Sequence, residues 1–301
     1  MLGYEAKVIC NKLELSGSME REYLLFILFI SLGCLSPNYS QLGDINNATI
    51  FVVYGDSRSN PEVHRQIVEG ISLCQPEFVL HTGDFVDSGD SVTEWGEFRQ
   101  ITQELRIYPT VGNHDYPLEN YFAIFNVSSY YSFDYNYLHI VSLNAFENVS
   151  PGSVQYRWLE DDLNSTPEWK WKVVFLHLPP YSSGEHGSDM HIRDSLVPLF
   201  ERYEVDVVFS GHDHGYERSY PILKGKVHRQ GVVYFVTGGG GADLYSFGAG
   251  WWTARSRSVH HFIKVEVNQT MARFTAVDVD GRIFDMYTIE RPSSKISVPA
   301  T

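Results

Sequence analysis

Cysteine is scarce in this chain: three are scattered over 301 residues, at Cys10, Cys34 and Cys74, with no C-x-x-C pair. That excludes a disulfide framework and a thiolate zinc site. Positive charge is short as well, 23 Lys and Arg against 37 Asp and Glu, for a formal net charge of −14. A general nucleic-acid binder needs a basic stripe to displace counterions from phosphates, so that class is set aside. A small phosphate ester is not excluded, because bound cations can invert the local field. No internal repeat and no low-complexity tract is present. The most apolar run, LLFILFISL from Leu24 to Leu32, is too short to span a bilayer comfortably.

That run lies behind Arg21 and Glu22 and ahead of Gly33-Cys34, and it suits the apolar segment of an export signal. Met19 is then the expected start, with residues 1–18 an upstream extension and 19–34 the export segment. Ser-Leu-Gly-Cys at 31–34 resembles a lipoprotein processing box with Cys34 as the lipidated residue, its leucine displaced by one position. A buried N-terminal helix is the alternative. Sequons at Asn38, Asn47, Asn126, Asn148, Asn164 and Asn268 agree with export. The protein is therefore expected outside the cell or anchored to its surface, touching membrane only through this segment. Residues 35–47 read as a polar tether, 48–288 as one domain and 289–301 as a tail.

The domain has ample core material, with 43% hydrophobic and 14% aromatic residues in the chain. Its apolar runs fall at 48–54, 77–83, 106–112, 131–144, 171–178, 205–211, 231–239, 261–267 and 272–281. Several are continuously apolar, as strands covered on both faces are. Helices are expected over Pro61–Ser72, Val92–Leu105, Gly152–Leu163 and Ser188–Tyr203. The alternation predicts an α/β class early in the chain, with antiparallel strands later.

Five expected strand ends carry polar clusters: Gly55-Asp56-Ser57-Arg58, Gly83-Asp84-Phe85-Val86-Asp87, Gly112-Asn113-His114-Asp115, His177 with Pro179-Pro180-Tyr181, and Gly211-His212-Asp213-His214. Strand ends are where α/β sheets bind ligands. Singly, a Gly-Asp is an ordinary turn and a lone His an ordinary core residue. Together they bring hard oxygens and imidazoles to successive strand ends, a donor mixture suited to Mn, Fe, Zn or Co.

This ordered set resembles the calcineurin-like metallophosphoesterase superfamily, and LHLPPYS (176–182), GHDHGYERSYP (211–221) and VYFVTGGGGADLY (233–245) bring it nearest to purple acid phosphatase-like proteins. The resemblance implies two mixed β-sheets packed as a sandwich flanked by helices, a four-layer fold, with two divalent or trivalent ions at the strand ends. By position, Asp84 would bridge the ions. Asp56 and His214 would serve the first, and Asn113, His177 and His212 the second. The implied activity is hydrolysis of small phosphate esters, monoesters foremost, by in-line attack of a metal-bound hydroxide. The same resemblance makes His114 a substrate-binding or proton-donating group. Asp115 would orient its ring or serve structure alone.

Two positions depart from the family. Arg58 stands where the superfamily's first motif has a histidine, and Asp87 where purple acid phosphatases have a tyrosine ligand. Arg58 is then a phosphate clamp or a salt-bridge partner, one candidate partner being Asp87. Phosphodiester hydrolysis and a non-catalytic metal-binding surface protein are the alternative functions. Gly238 to Gly241 lack the lysine and helix of a P-loop and read as a loop passing near the site. Tyr216, Glu217 and Arg218 either shape a pocket or pack behind it. His186 and His191 either line a cleft or lie in a solvated loop.

Overall fold

The computed structural model describes residues 45–291. The upstream extension, the export segment, Cys34 and nearly all of the tether lie outside the described residues. Among the described residues no helix is long and apolar enough to cross a membrane.

Among the described residues, fifteen strands and five helices alternate along the chain. The first half contains β1 (Thr49–Tyr54), α1 (Pro61–Leu73), β2 (Phe78–His81), α2 (Val92–Ile101), β3 (Ile107–Pro109), a single 3₁₀ turn (Asn113–Asp115) and α3 (Glu119–Phe125). Next come β4 (Tyr131–Tyr135), β5 (Leu138–Ser142), α4 (Val154–Ser165), β6 (Trp171–Phe175), α5 (Met190–Arg202) and β7 (Val207–Ser210). The remainder is strand: β8 (Tyr216–Ser219), β9 (Ile222–Leu223), β10 (Lys226–Val227), β11 (Val233–Thr237), β12 (Thr253–Arg257), β13 (His261–Val267), β14 (Met271–Asp278) and β15 (Ile283–Glu290).

These strands form two mixed sheets, in the orders β15-β14-β13-β1-β2-β3 and β12-β8-β11-β7-β6-β5-β4, with β9 and β10 as a separate ribbon. Pairing is parallel along β1-β2-β3 and along β5-β6-β7-β11, and antiparallel elsewhere. The period-2 alternation of a strand sorts the apolar side chains into layers. Phe51, Val53, Phe78 and Leu80 of one sheet meet Ile140, Phe175, Phe209 and Phe235 of the other. The intervening Val52, Tyr54 and Val79 turn outward against Ile67 and Ile71 of α1. On the far side, Val141, Val174 and Val208 pack on Leu159 of α4 and on Leu196 and Phe200 of α5. The layers are helix, sheet, sheet, helix, the four-layer sandwich expected. Each large side chain moved from water into such an interior contributes roughly 1.5–3 kcal/mol.

Helix α1 shows how local signals set an element. The Asn60 side chain accepts a hydrogen bond from the Val63 N–H at 3.2 Å, and Pro61 opens the first turn. His64, Ile67, Val68 and Ile71 form its buried stripe.

The chain end differs from expectation. Strand β15 runs to Glu290, and Arg291 is buried, its guanidinium bonded to Asp206 at 2.9 Å and to main-chain carbonyls of Trp169 and Lys170. Residues 289–291 therefore belong to the sandwich and not to a tail. Helix α3 and strands β8, β9, β10, β12 and β15 fall outside the elements expected from sequence.

Candidate metal centre

The five polar clusters sit at the ends of β1, β2, β3, β6 and β7, three of these strands in one sheet and two in the other. The loops lock onto one another through their backbones. Asp56 N–H donates to the Gly83 carbonyl at 3.0 Å, Ser57 N–H to the Asp84 carbonyl at 3.1 Å, and Gly211 N–H to the His177 carbonyl at 3.0 Å. Space is tight enough that glycine is required at Gly112 and Gly211, where a Cβ would overlap the carboxylates of Asp84 and Asp56. Asp56, Asp84 and His212 themselves adopt left-handed backbone, with φ of 56°, 57° and 69°. A non-glycine residue held there costs about 1–2 kcal/mol, and such residues cluster at functional sites.

Asp56, Asp84 and His177 are fully or almost fully buried, and their donor atoms lie within 4.8 Å of one another. His177 Nδ1 donates to the Thr82 carbonyl at 2.8 Å, leaving Nε2 with its lone pair aimed into the cluster. From that nitrogen, Asn113 Oδ1 is 3.1 Å away, His212 Nδ1 3.2 Å and Asp84 Oδ1 3.6 Å. Bonds of about 2.1 Å to one ion place adjacent donors roughly 3.0–3.4 Å apart, so the two shorter spacings match a shared cation and the third lies slightly beyond. Burial pushes His177 below the ordinary imidazole range.

His214 is held likewise, Nδ1 donating to the Asp243 carbonyl at 2.7 Å and Nε2 lying 3.6 Å from Asp56 Oδ1. Burial pushes His212 down to about 3 and His214 to about 4, so both rings are neutral lone-pair donors at neutral pH. Burial, then the charge of Asp84, pushes Asp56 well above the usual carboxylate range. Asp84 is held below it in spite of burial, by His177, the His114 N–H and Arg58. Two carboxylates buried together in this way fit a cation as their counter-charge.

Asp115 takes the structural one of its two expected roles. Its two oxygens accept the N–H groups of Gly112 at 2.7 Å, Phe85 at 2.8 Å and Asp84 at 3.1 Å. It ties the second loop to the third and does not orient the His114 ring. The Asp87 carbonyl does that, accepting from His114 Nδ1 at 2.9 Å. For Arg58, the structure shows the ion-pair alternative: Nε lies 3.3 Å from Asp84 Oδ2, and Nη1 2.9 Å from Asp87 Oδ1.

His186 stacks on His212 with ring centroids 4.3 Å apart, and Tyr245 on His214 at 4.1 Å. The two outer rings meet edge to face at 5.2 Å and form one wall of the centre. Tyr245 was not singled out from sequence, and its only signal there was its place in the VYFVTGGGGADLY motif. His191 is exposed on α5, away from any such stacking. The Gly238–Gly241 loop supports the centre from behind, Gly240 N–H donating to the Gly55 carbonyl at 2.8 Å and Ala242 N–H to that of Asp56 at 2.9 Å. Tyr216 and Arg218 are both bonded to Asp285, which makes them packing groups.

The family model for calcineurin-like phosphoesterases matches residues 40–216, and the chain belongs to that family. Among curated proteins it is similar to a probable purple acid phosphatase 20 of Arabidopsis thaliana, 29% identical over 222 residues, covering 64% of this chain and 51% of the relative. Purple acid phosphatase 21 of the same plant is 40% identical over 116 residues, 37% of this chain and 26% of the relative. The chain thus spans about half the length, or less, of these relatives. Among solved structures, the purple acid phosphatase PPD1 of yellow lupin superposes with a TM-score of 0.74 at 21% identity, over 84% of this chain and 57% of that one. GAP50, the anchor in the inner membrane complex of Plasmodium, gives 0.67 at 14% identity, over 83% and 90%. These likenesses are of fold.

Proposed function

We propose that this protein is a metal-dependent hydrolase of small phosphate esters, with monoesters as its main substrates. One observation carries the reading: around the buried His177 Nε2, Asn113 Oδ1 lies at 3.1 Å, His212 Nδ1 at 3.2 Å and Asp84 Oδ1 at 3.6 Å, donors brought from three other strand ends. When bound there, a divalent or trivalent ion (Mn, Fe, Zn or Co) supplies positive charge to the phosphoryl oxygens and lowers the pKa of a nucleophilic water. The chain's own residues do the rest. Asp84 and His177, both buried, hold the donor geometry without solvent relaxation. Asn113 is exposed and leaves the centre open to substrate on its side. His114 has Nδ1 committed to the Asp87 carbonyl, so Nε2 is the atom that binds a phosphoryl oxygen or protonates the departing alkoxide. A second ion would draw on Asp56 and His214, whose donor atoms lie 3.6 Å apart.

A non-catalytic metal-binding surface protein is the second reading, favoured by the arginine paired with Asp84. Export and anchoring through residues 19–34 belong to the proposal too, with a soluble phosphate ester as the partner and no general nucleic-acid binding.

Stripping the protein of metal and restoring Mn, Fe, Zn, Co or Mg in turn, on a monoester and a bis-ester of one chromogenic alcohol, tests the catalytic reading. Hydrolysis should vanish on stripping, return with one or more of these ions and favour the monoester. A bis-ester preference makes it a phosphodiesterase, and no metal-dependent hydrolysis across a broad ester panel puts the binding-protein reading first.

A further inference from the structure

The two departures from the family pattern, Arg58 and Asp87, are partners in the structure. We propose that the Arg58 guanidinium takes the place of the first of the family's two metal ions, so that the centre binds a single ion, at Asp84, Asn113, His177 and His212. This rests on the metal-binding reading above and fixes the number of ions within it.

Asp84 divides its two oxygens between two surroundings. Oδ1 faces His177 Nε2 and accepts the His114 N–H at 3.0 Å, whereas Oδ2 takes Arg58 Nε at 3.3 Å. An ion bridged to the first by Asp84 would have to share Oδ2 with the Arg58 guanidinium and sit against its positive charge. The guanidinium is also held firmly. Its side chain is only 15% exposed, and Nη1 bonds both Asp87 Oδ1 at 2.9 Å and Ser59 Oγ at 3.1 Å. Ser59 Oγ in turn donates to Asp87 Oδ1 at 2.6 Å. Asp87, which by its position could have replaced the missing tyrosine ligand, is thereby committed to Arg58. What remains for a first ion is Asp56 and His214, and both Asp56 oxygens already accept the His212 N–H, at 3.1 and 3.2 Å. Two protein ligands fall short of the three that open metal sites ordinarily use. Arginine suits the replacement because its charge is permanent and its planar fork reaches two carboxylates at once.

The test counts ions on the full-length protein. Metal-stripped wild type is equilibrated with manganese(II) chloride, desalted, and measured by elemental analysis and electron paramagnetic resonance. One manganese per chain with the signal of an isolated ion is expected. Arg58→Lys, which keeps a cation, should stay at one. Arg58→His combined with Asp87→Tyr should rise twofold, to two ions per chain, with the signal of an exchange-coupled pair. Circular dichroism and thermal melting verify that each variant is folded. Two coupled ions in the wild type overturn the substitution by Arg58 while leaving the hydrolase reading intact. A folded double variant that stays at one ion overturns it as well. Wild type that takes up no manganese and none of the other ions overturns both.

Discussion

The space between the two sheets and the acidic floor of the polar centre are equally buried, yet they are built by opposite rules. Between the sheets, Phe51, Phe78, Phe209 and Phe235 contribute area and shape and make no demand on polar partners. At the strand ends, Asp56, Asp84, Asp115 and His177 are as well hidden, and each is held by main-chain groups of a loop other than its own. The first region stabilises the fold, because apolar burial is favourable wherever it occurs. The second spends stability on left-handed backbone and desolvated charge, and gains position. Stability and placement are therefore carried by different atoms, and substitutions should separate them.

The largest effect is expected in the apolar layer. Phe209→Ala should cost about 3–5 kcal/mol in chemical denaturation, with ion affinity per folded molecule unchanged. A parallel fall in affinity would break the division. Asp84→Asn should do the reverse. Ion uptake and phosphate-ester hydrolysis fall by more than about 10²-fold, while the metal-free protein loses far less stability than Phe209→Ala does, because relief of the crowding with Asp56 offsets the weakened pairing with Arg58. Asp115→Ala tests the boundary between the regions. It strips three buried N–H groups of their acceptor, so a loss of about 1–3 kcal/mol and a roughly 10- to 100-fold weaker ion affinity should appear together. The smallest effect lies away from both regions. His139 pairs with Asp162 at 2.8 Å and Asp134 at 2.9 Å, and although burial opposes its charge, these bonds raise its pKa above the ordinary value. The pair's stabilisation is fully present below the unfolded-state pKa of about 6.5 and is lost as pH rises through the raised folded-state value. His139→Gln should thus cost about 1 kcal/mol in acid and progressively less in alkali, as read from melting curves across pH.

The legible parts of this molecule were those where side-chain type alone carries the signal. The strands buried on both faces announced themselves as unbroken apolar runs, and the donor clusters as Asp, Asn and His behind turns. The overlooked strands β8 and β12 read YERS and TARSR, polar strings whose pairing depends on neighbours remote in sequence. Glu217 of β8 is buried because Ser183 N–H, Trp252 Nε1 and Thr253 Oγ1 all donate to it, and no local pattern foretells such an arrangement. Sequence does not decide between the two roles of Asp115 for a related reason. Adjacency to His114 suggested a side-chain partnership, whereas the structure spends its carboxylate on three N–H groups of the backbone. The tautomers of His177 and His214 are set by carbonyls of Thr82 and Asp243, and a carbonyl, present at every residue, leaves no trace in sequence. The pairing of Arg58 with Asp87 was visible as one of two alternatives, because charge complementarity is written in residue types even when distance is not.

The left-handed turns at Asp56, Asp84 and His212 have a thermodynamic corollary. Their conformational penalty is met once, during folding, by the sandwich as a whole. An arriving ion then has little to reorganise beyond its own hydration shell, so uptake should be fast, nearly free of backbone motion, and governed by how readily each metal sheds water.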